Sequence, residues 1–542
     1  MTTGGPGQVA PSWIAGRPVP LDFGGPDSVP YEPMPAGTGV IAGLEAAERA
    51  AARDPEKTAI HDGVTRLSYR EMLDRVHGLA PRIANALAPG VPVASLLHGS
   101  TAAPVVVLAC ALAGRPLIPI DAGHPRERAA ALFEESGAGA LIVAAGDDVD
   151  DGFVPQHIPR IVVDVTKATG APRYQLRPIA GDAPLIVIFT SGSTGRPKGV
   201  AYGSADGVES MRRFIDTFHV NSSDVILGLA SLSTGGMRDA FAALTTGATI
   251  RIVDLKRSGV AEVLRVMEDE GITLLSFVPT VLRTLMNLPR IEKAFQRLRA
   301  LDLIGELTLA SDIALFRSKL PRGCHISITL GTTETGAIFS WFVDESRFER
   351  GVVPVGYLCP DKAIAVIGED GAPAAVGETG ELLVKGQMAL GSWQRGRLTD
   401  ARFLIDPSDP GQRIYQTGDL VRLRPDGLVE FVGRRDRQVK IRGLWADLGD
   451  IESALRSVDG VTDAVVLARS RPGQTDALVA FVSAASDRDD FIASLQQSVV
   501  TATAEHMAPS AIHVLPDIPR LANYKPDLVR LEKMLSGAAG AG

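Results

Sequence analysis

In Thr190-Ser-Gly-Ser-Thr-Gly-Arg-Pro-Lys198-Gly nearly every residue offers something to an anion. Gly192, Gly195 and Gly199 let backbone N–H groups approach phosphate oxygens closely, while Thr190, Ser191, Ser193 and Thr194 add hydroxyl donors. Lys198 adds a compact positive charge, so the chemistry is that of holding a polyphosphate. A Walker-type loop is excluded by spacing, because it needs a Ser or Thr directly after its Lys, whereas Gly199-Val-Ala-Tyr202 follows Lys198. A flexible linker fits poorly, since the apolar run Leu185 to Phe189 feeds the stretch and Pro-Lys-Gly closes it. Four further segments carry polar groups beside apolar runs: Gly331-Thr-Thr-Glu-Thr-Gly336, Tyr415-Gln-Thr-Gly-Asp-Leu420, Gly433-Arg-Arg-Asp-Arg437 and Pro519-Arg-Leu-Ala-Asn-Tyr-Lys525-Pro-Asp. Each alone reads as a polar turn.

Taken together, in this order and over Leu67 to Leu531, these segments resemble the adenylate-forming superfamily of acyl-CoA synthetases, luciferases and nonribosomal peptide synthetase adenylation domains. The resemblance implies ATP and Mg²⁺ as cofactors. It makes Thr190 to Lys198 the phosphate loop, Thr333 a phosphate contact and Glu334 the Mg²⁺ carboxylate. Gly305, Glu306, Leu330, Gly331 and Thr332 fall on the adenine and ribose side, and Asp419 accepts from both ribose hydroxyls, for which a carboxylate has the two oxygens needed. Arg434 contacts ribose and phosphate, Asp436 is the hinge between domains, Lys440 to Gly443 form a loop guiding the thiol acceptor, and Lys525 is catalytic. Two positions depart from the pattern. Leu330 stands where the family usually stacks an aromatic ring on adenine, and Tyr524 stands where it has Gly.

The implied reaction activates a carboxylic acid as its acyl-adenylate with release of pyrophosphate and then passes the acyl group to a thiol. Leu117-Ile-Pro-Ile-Asp-Ala-Gly-His-Pro-Arg-Glu-Arg128 resembles the peptide-synthetase branch, and nothing after Lys525 resembles a carrier module. The expected acceptor is therefore the phosphopantetheine of a stand-alone carrier protein, with CoA ligation of a small or aryl acid as the alternative and a catalytically impaired adenylate-binding sensor as a second. In the acid pocket, Ser233, Thr234, Gly235, Arg238 and Asp239, the Asp that pairs with an α-ammonium is replaced by Thr234 or Gly235. The acid is thus expected to be amino-acid-like but not a standard α-amino acid. Three readings of the neighbouring charges stand open: Asp239 meets an amine from another position, Arg238 binds a second carboxylate, or the two form a local salt bridge.

These residues need a scaffold. At 542 residues the chain exceeds one compact core, so at least two domains are expected. Strand-like runs at Leu141 to Val143, Ile161 to Val165, Val225 to Leu229, Thr249 to Asp254, Leu274 to Val278 and Leu301 to Ile304 alternate with helical ones, predicting a largely parallel sheet covered by helices. Ser68 and Glu71 predict a capped helix start. After Leu428 to Val432 and Gln438 to Ile441, read as a strand pair, come a helix at Leu448 to Val458, strands at Ala464 to Ala468 and Ala477 to Val482, and a helix from Phe491 to about His506. The expected fold is α/β: a large N-terminal α/β domain with helix-covered sheets and a small β-barrel-like subdomain, hinged to a small α+β C-terminal domain. The boundaries expected are a Pro/Gly-rich, extended or partly disordered arm over 1–40, a core over 41–435, a mobile subdomain carrying Lys525 over 436–535, and a disordered tail over 536–542.

A net charge of −8 without a long basic run argues against nucleic acid as a partner. Cys110, Cys324 and Cys359 lack CxxC spacing, which suits a reducing cytoplasm better than a disulfide framework or zinc site. No apolar run reaches the ~18 residues of a membrane span, so no membrane partner is expected.

Overall fold

The computed structural model describes residues 12–16, 25–26, 29–34, 40–175, 183–190, 197–229, 236–286, 288–399, 403–406, 408–441, 444–469, 477–484, 486–503, 507–521 and 526–537. Among them the strands form two large mixed sheets rather than one. In the first, Thr58–His61, Thr249–Ile252, Val225–Gly228, Leu274–Phe277, Ala300–Ile304 and His325–Thr332 run parallel, flanked by antiparallel Arg66–Ser68, Gly336–Phe342 and Tyr357–Leu358. In the second, Pro184–Thr190, Leu117–Asp121, Val93–Leu97, Ala140–Ala144 and Arg160–Val163 run parallel. There Lys198–Gly203, Gly391–Gln394 and Arg397–Thr399 complete the antiparallel edge.

Alternation of strand and helix predicts parallel pairing but carries no information on which strands share a sheet. The helix Ala102–Ala113 is the clue, because every one of its residues is buried. A helix apolar all round needs protein on all sides. It packs in one core with the helices Val40–Arg53, Tyr69–Ala86, Ser204–Phe218 and Gly236–Thr246, a layer whose apolar side chains meet both sheets. The helix Tyr69–Ala86 starts with the expected reciprocal cap: Glu71 N donates to Ser68 Oγ at 3.2 Å, and Ser68 N donates to a Glu71 carboxylate oxygen at 2.9 Å. Such a cap contributes about 1 kcal/mol.

A third, antiparallel sheet holds Lys362–Ile367, Thr379–Gly386, Asp409–Leu423, Phe403–Asp406 and Val429–Arg434. Ile14–Ala15 from the N-terminal arm pairs with its edge, and Tyr31 stacks on His219 with ring centroids 4.1 Å apart, so the arm touches the core at these two points. Beyond it lies a small α+β unit in which Val461–Arg469, Ala477–Ala484 and Ala511–Leu515 form a sheet with the helices Leu448–Arg456, Asp489–Ala502 and Leu528–Gly537. No helix among the described residues is long and apolar enough to cross a membrane.

Four local expectations are corrected. Gln438–Ile441 pairs with Leu444–Asp447, not with Val429–Arg434, because a 3₁₀ turn at Arg435–Arg437 redirects the chain. Lys440 consequently lies on a strand, not a loop. The strand expected to reach Asp254 stops at Ile252, and Asp254 caps the next helix by accepting from Arg257 N at 3.3 Å. The helix expected to reach His506 ends at Ala502, and the strand Ala511–Leu515 that follows was missed.

Tyr69 is fully buried, and its hydroxyl donates to Ala248 O at 2.7 Å across the helix layer. Tyr69→Phe leaves that carbonyl short of a partner and should lower stability by about 1–2 kcal/mol, read as a shift of the urea midpoint at unchanged slope.

Candidate active site

The phosphate-loop segment joins two antiparallel strands, Pro184–Thr190 and Lys198–Gly203, with Thr190 opposite Lys198 in the register. Residues 191–196 lie outside the described residues, as do Ser233, Thr234, Gly235, Gly443 and Lys525, while Thr190, Asp436 and Lys440 are described by their backbone. Lys198 is half-buried at the base of the hairpin. At Gly199 a Cβ would meet Trp393 Cβ at 2.8 Å, so the next strand presses against this hairpin and leaves no room for a side chain.

The Thr-rich turn is built from its own hydroxyls. Thr335 N donates to Thr332 Oγ1 at 3.2 Å, Thr332 N donates to Thr335 Oγ1 at 3.3 Å, and the two hydroxyls lie 3.0 Å apart. A bulge between Leu330 and Gly331 starts the turn, and Gly336, at φ +65°, ends it. At Gly331 a Cβ would fall 2.2 Å from Gly336 O, so only glycine allows the strands to close. Three outside contacts hold the turn. The Tyr202 hydroxyl donates to Thr333 O, Ala389 N donates to Glu334 O at 2.9 Å, and Arg213 donates to Ala337 O at 2.6 Å. The first of these ties the turn to the phosphate hairpin. Glu334 is buried, and Thr333 and the half-buried Leu330 flank it on the turn and its entering strand.

Asp419 sits opposite Arg434 in the register of Asp409–Leu423 with Val429–Arg434, after a positive-φ residue, Gly418, at +76°. Its side chain is 4% exposed and accepts from the Arg434 guanidinium at 2.9 Å. Its own N–H is fixed by Thr417 Oγ1 at 2.9 Å. The pair is therefore formed within the protein itself. Just beyond it, two arginines flank Asp436 and grip different domains: Arg435 pairs with Glu381 at 2.7 Å and Arg437 with Glu452 at 2.6 Å.

Gly305, at φ +82°, turns the chain out of the strand Ala300–Ile304 and presents Glu306. Glu306 accepts from Thr280 N at 3.0 Å and Thr280 Oγ1 at 2.6 Å, and pairs with Arg520 at 3.3 Å. Arg520 also pairs with Asp463 of the C-terminal unit. An isolated bridge between Arg520 and Pro526 closes the base of the segment containing Lys525. The segment with the expected catalytic lysine is thereby moored to the strand end carrying the expected adenine-side residues. Neither Arg520 nor Arg435 and Arg437 were singled out in the sequence, although each lies within five residues of a motif residue that was.

Arg238 and Asp239 open the helix Gly236–Thr246. Arg238 contacts Asp239 at 2.9 Å, Asp302 at 3.2 Å and Ser276 Oγ at 2.6 Å, with its guanidinium 4.4 Å from the Phe214 ring centroid. Burial pushes both Asp carboxyl groups above the usual carboxylate range, with the Arg238 charge opposing the shift. Asp302 escaped sequence reading, and its signal was a charged residue inside the apolar strand Ala300–Ile304.

Among the described residues no group of three His, Cys, Asp or Glu side chains converges to cage a metal. Mg²⁺ needs none, since it takes one or two carboxylates together with phosphate oxygens and water. The single buried carboxylate of Glu334 on the turn tied to the phosphate hairpin fits that requirement.

Hydroxyl-rich loops at the carboxyl ends of parallel strands, joined by an antiparallel sheet to a small α+β unit, mark an α/β enzyme with a nucleotide-type site. The chain belongs to the AMP-binding enzyme family of adenylate-forming acid ligases: the AMP-binding enzyme model matches residues 47–393 and that of the AMP-binding enzyme C-terminal domain matches 450–525. It is 31% identical over 487 residues to tyrocidine synthase 3 of Brevibacillus parabrevis, covering 88% of this chain and 7% of that protein. It is 30% identical over 489 residues to phenyloxazoline synthase MbtB of Mycobacterium sp. (strain MCS), covering 88% and 41% respectively. The chain spans less than half the length of these curated relatives. Its fold is similar to that of Klebsiella oxytoca NpsA in complex with 3-hydroxyanthranilyl-AMSN, with a TM-score of 0.75 at 23% identity over 91% of this chain and 99% of the other.

Two substitutions check the site. Gly331→Ala forces the turn open, and displacing its groups by about 1 Å should cost about 10²-fold in ATP-dependent activity with the circular-dichroism spectrum retained. Asp419→Ala removes charged acceptors and should raise the KM for ATP about 10- to 100-fold.

Proposed function

We propose that this protein activates a carboxylic acid other than a standard α-amino acid as its acyl-adenylate and transfers the acyl group to the phosphopantetheine thiol of a separate carrier protein. The observation that carries the reading is the convergence of three segments. The phosphate hairpin is tied through Tyr202 to the Thr333–Glu334 turn, and the base of the Lys525 segment is moored through Arg520 to Glu306.

In the first step a carboxylate oxygen attacks the α-phosphorus of ATP, and the bond to the bridging oxygen of pyrophosphate breaks. Both reactants are anions, so the site must neutralise charge and hold them in line. The amides and hydroxyls of residues 190–195 and Lys198 hold the β- and γ-phosphates, Thr333 holds the α-phosphate, and Asp419 with Arg434 orients the ribose. Glu334 would hold Mg²⁺, which supplies charge neutralisation at the phosphates. Lys525 stabilises the negative charge developing between the acid and the α-phosphate. Leu330 offers adenine an apolar face in place of a ring.

In the second step the thiol attacks the acyl carbonyl and AMP leaves. One surface serves both steps if the unit over 436–535 rotates about Asp436 relative to the core over 41–435. Arg435 and Arg437 support this reading, because each fixes one side of the pivot to its own domain. Arg520 would leave Glu306 in that rotation.

The test is acid-dependent pyrophosphate release from MgATP, with Lys525→Ala expected to slow it by roughly 10² to 10³, or about 3–4 kcal/mol. Acyl transfer is then assayed on a phosphopantetheinylated carrier protein and on CoA. Transfer to CoA alone would overturn the carrier reading, and a Lys525→Ala enzyme as active as the parent would overturn the mechanism.

A further inference from the structure

Resting on that reading, we infer that the acid carries an aliphatic ammonium group on its β- or a more distal carbon, and that Asp302 binds it. The inference starts from a row of polar side chains where a helix-covered sheet should be apolar. Ser276 and Asp302 are partners across adjacent strands, Asp302 is in turn the partner of Ser327, and Thr329 is the partner of Ser340. Asp302 is 2% exposed and Ser327 fully buried. The row lies where these strands run out toward the site: Asp302 is three residues before Gly305, and Thr329 is four before Thr333.

The charges of this cluster do not balance. Arg238 contributes one positive charge against the two carboxylates of Asp239 and Asp302, and among the described residues no other charged side chain acts on either carboxylate. A buried cluster left one charge negative is costly and is relieved by uptake of a proton or by a cation.

Arg238 is not free to receive an anion. Its Nε and one terminal nitrogen face Asp239, that same terminal nitrogen donates to Ser276 Oγ, and the other faces Asp302. A second substrate carboxylate would enter a cluster that is already anionic and whose guanidinium fork is filled. The reading of Arg238 as a receptor for a dicarboxylic acid is therefore disfavoured.

Asp302 has capacity to spare. Its Oδ1 accepts from Thr329 Oγ1 at 3.0 Å and its Oδ2 lies 3.2 Å from an Arg238 terminal nitrogen, which leaves each oxygen a further lone pair, and the buried Ser327 Oγ beside them makes no hydrogen bond among the described residues. Buried carboxylate oxygens ordinarily find donors, and an ammonium brings three of them together with the missing positive charge. Because the family resemblance aligns Thr234 or Gly235 with the Asp that meets an α-ammonium, the amine reached by Asp302 is one set further along the acid.

The experiment measures acid-dependent exchange of labelled pyrophosphate into ATP. The acids are β-alanine, 3-aminobutanoate and 4-aminobutanoate, their amine-free counterparts propanoate, butanoate and 3-hydroxybutanoate, the α-amino acid alanine, and the dicarboxylates malonate and succinate. One aminated acid should exceed its amine-free counterpart by about 10- to 100-fold in kcat/KM, the worth of a charged hydrogen bond in a buried site. Asp302→Asn also weakens the buried pair with Arg238 and so lowers the thermal midpoint, but in the folded enzyme it should remove most of that advantage through KM for the acid at unchanged KM for ATP. Preference for a dicarboxylate, for alanine or for an amine-free acid would overturn the inference while leaving acid activation standing, as would an Asp302→Asn enzyme that keeps the parent's discrimination. Exchange with no acid in the set would overturn this assignment outright. Exchange restored by a wider acid panel would then spare acid activation, and continued silence would overturn that as well.

Discussion

The hydrogen bond from the Tyr202 hydroxyl to Thr333 O joins two loops that belong to different sheets. Tyr202 lies on the antiparallel strand that leaves the phosphate hairpin, and Thr333 lies on the turn ending a parallel strand of the other sheet. On the proposed function a polyphosphate would need donors, and its cation oxygen ligands, from both at once, and rigid sheets cannot be steered toward each other by the ligand. The spacing must be set beforehand, which is the condition for preorganised stabilisation of charge. Ala389 N on Glu334 O and Leu390 N on Ala201 O make the same join a second time through the segment leading into Gly391–Gln394. The glycines at 199 and 331 are read in this light: each removes a side chain from a place where two strands press together.

The helix layer between the sheets makes such a join feasible. Its central helix, Ala102–Ala113, has no solvent face, and the helices beside it bring Arg213, Arg238 and Asp239 up against strand ends. Each of these is a charged group whose burial is tolerable only with partners in place. Arg213 donates to Ala337 O and pairs with Asp361 at 3.3 Å, so it serves the turn. The cluster around Arg238 sets one guanidinium against two buried carboxylates, and that excess of carboxylates distinguishes it from a one-to-one structural ion pair.

The C-terminal unit is held by arginines at both of its ends. Near its start, Arg435 and Arg437 fasten the two sides of the turn to Glu381 and Glu452; near its close, Arg520 spans Glu306 and Asp463. The first two bonds each lie on one side of Asp436 and would survive the proposed rotation about it. The third runs from Glu306 to Arg520 across Asp436, so that rotation would break it. Arg520 and Glu306 are only 18% and 21% exposed, and Asp463 remains a partner for Arg520 when it leaves Glu306, so the proposed break would not strand the arginine's charge.

Local chemistry in the chain determined a great deal. Ser68 and Glu71 specified a helix start, apolar runs located most of the parallel strands of the two mixed sheets, and the hydroxyl-rich segments stood out because their residue types suit phosphate at short range. These features depend on neighbours a few residues apart, and sequence records such neighbours directly. Only the tertiary structure decided that the parallel strands divide into two sheets, that Gln438–Ile441 turns away from Val429–Arg434, and that Tyr202, Arg520 and Asp302 matter. Their roles come from partners 131, 214 and 64 positions away, at Thr333, Glu306 and Arg238. A hydrogen bond or a charge balance is a property of a pair in space, and one-dimensional order carries each member without saying which other it will meet.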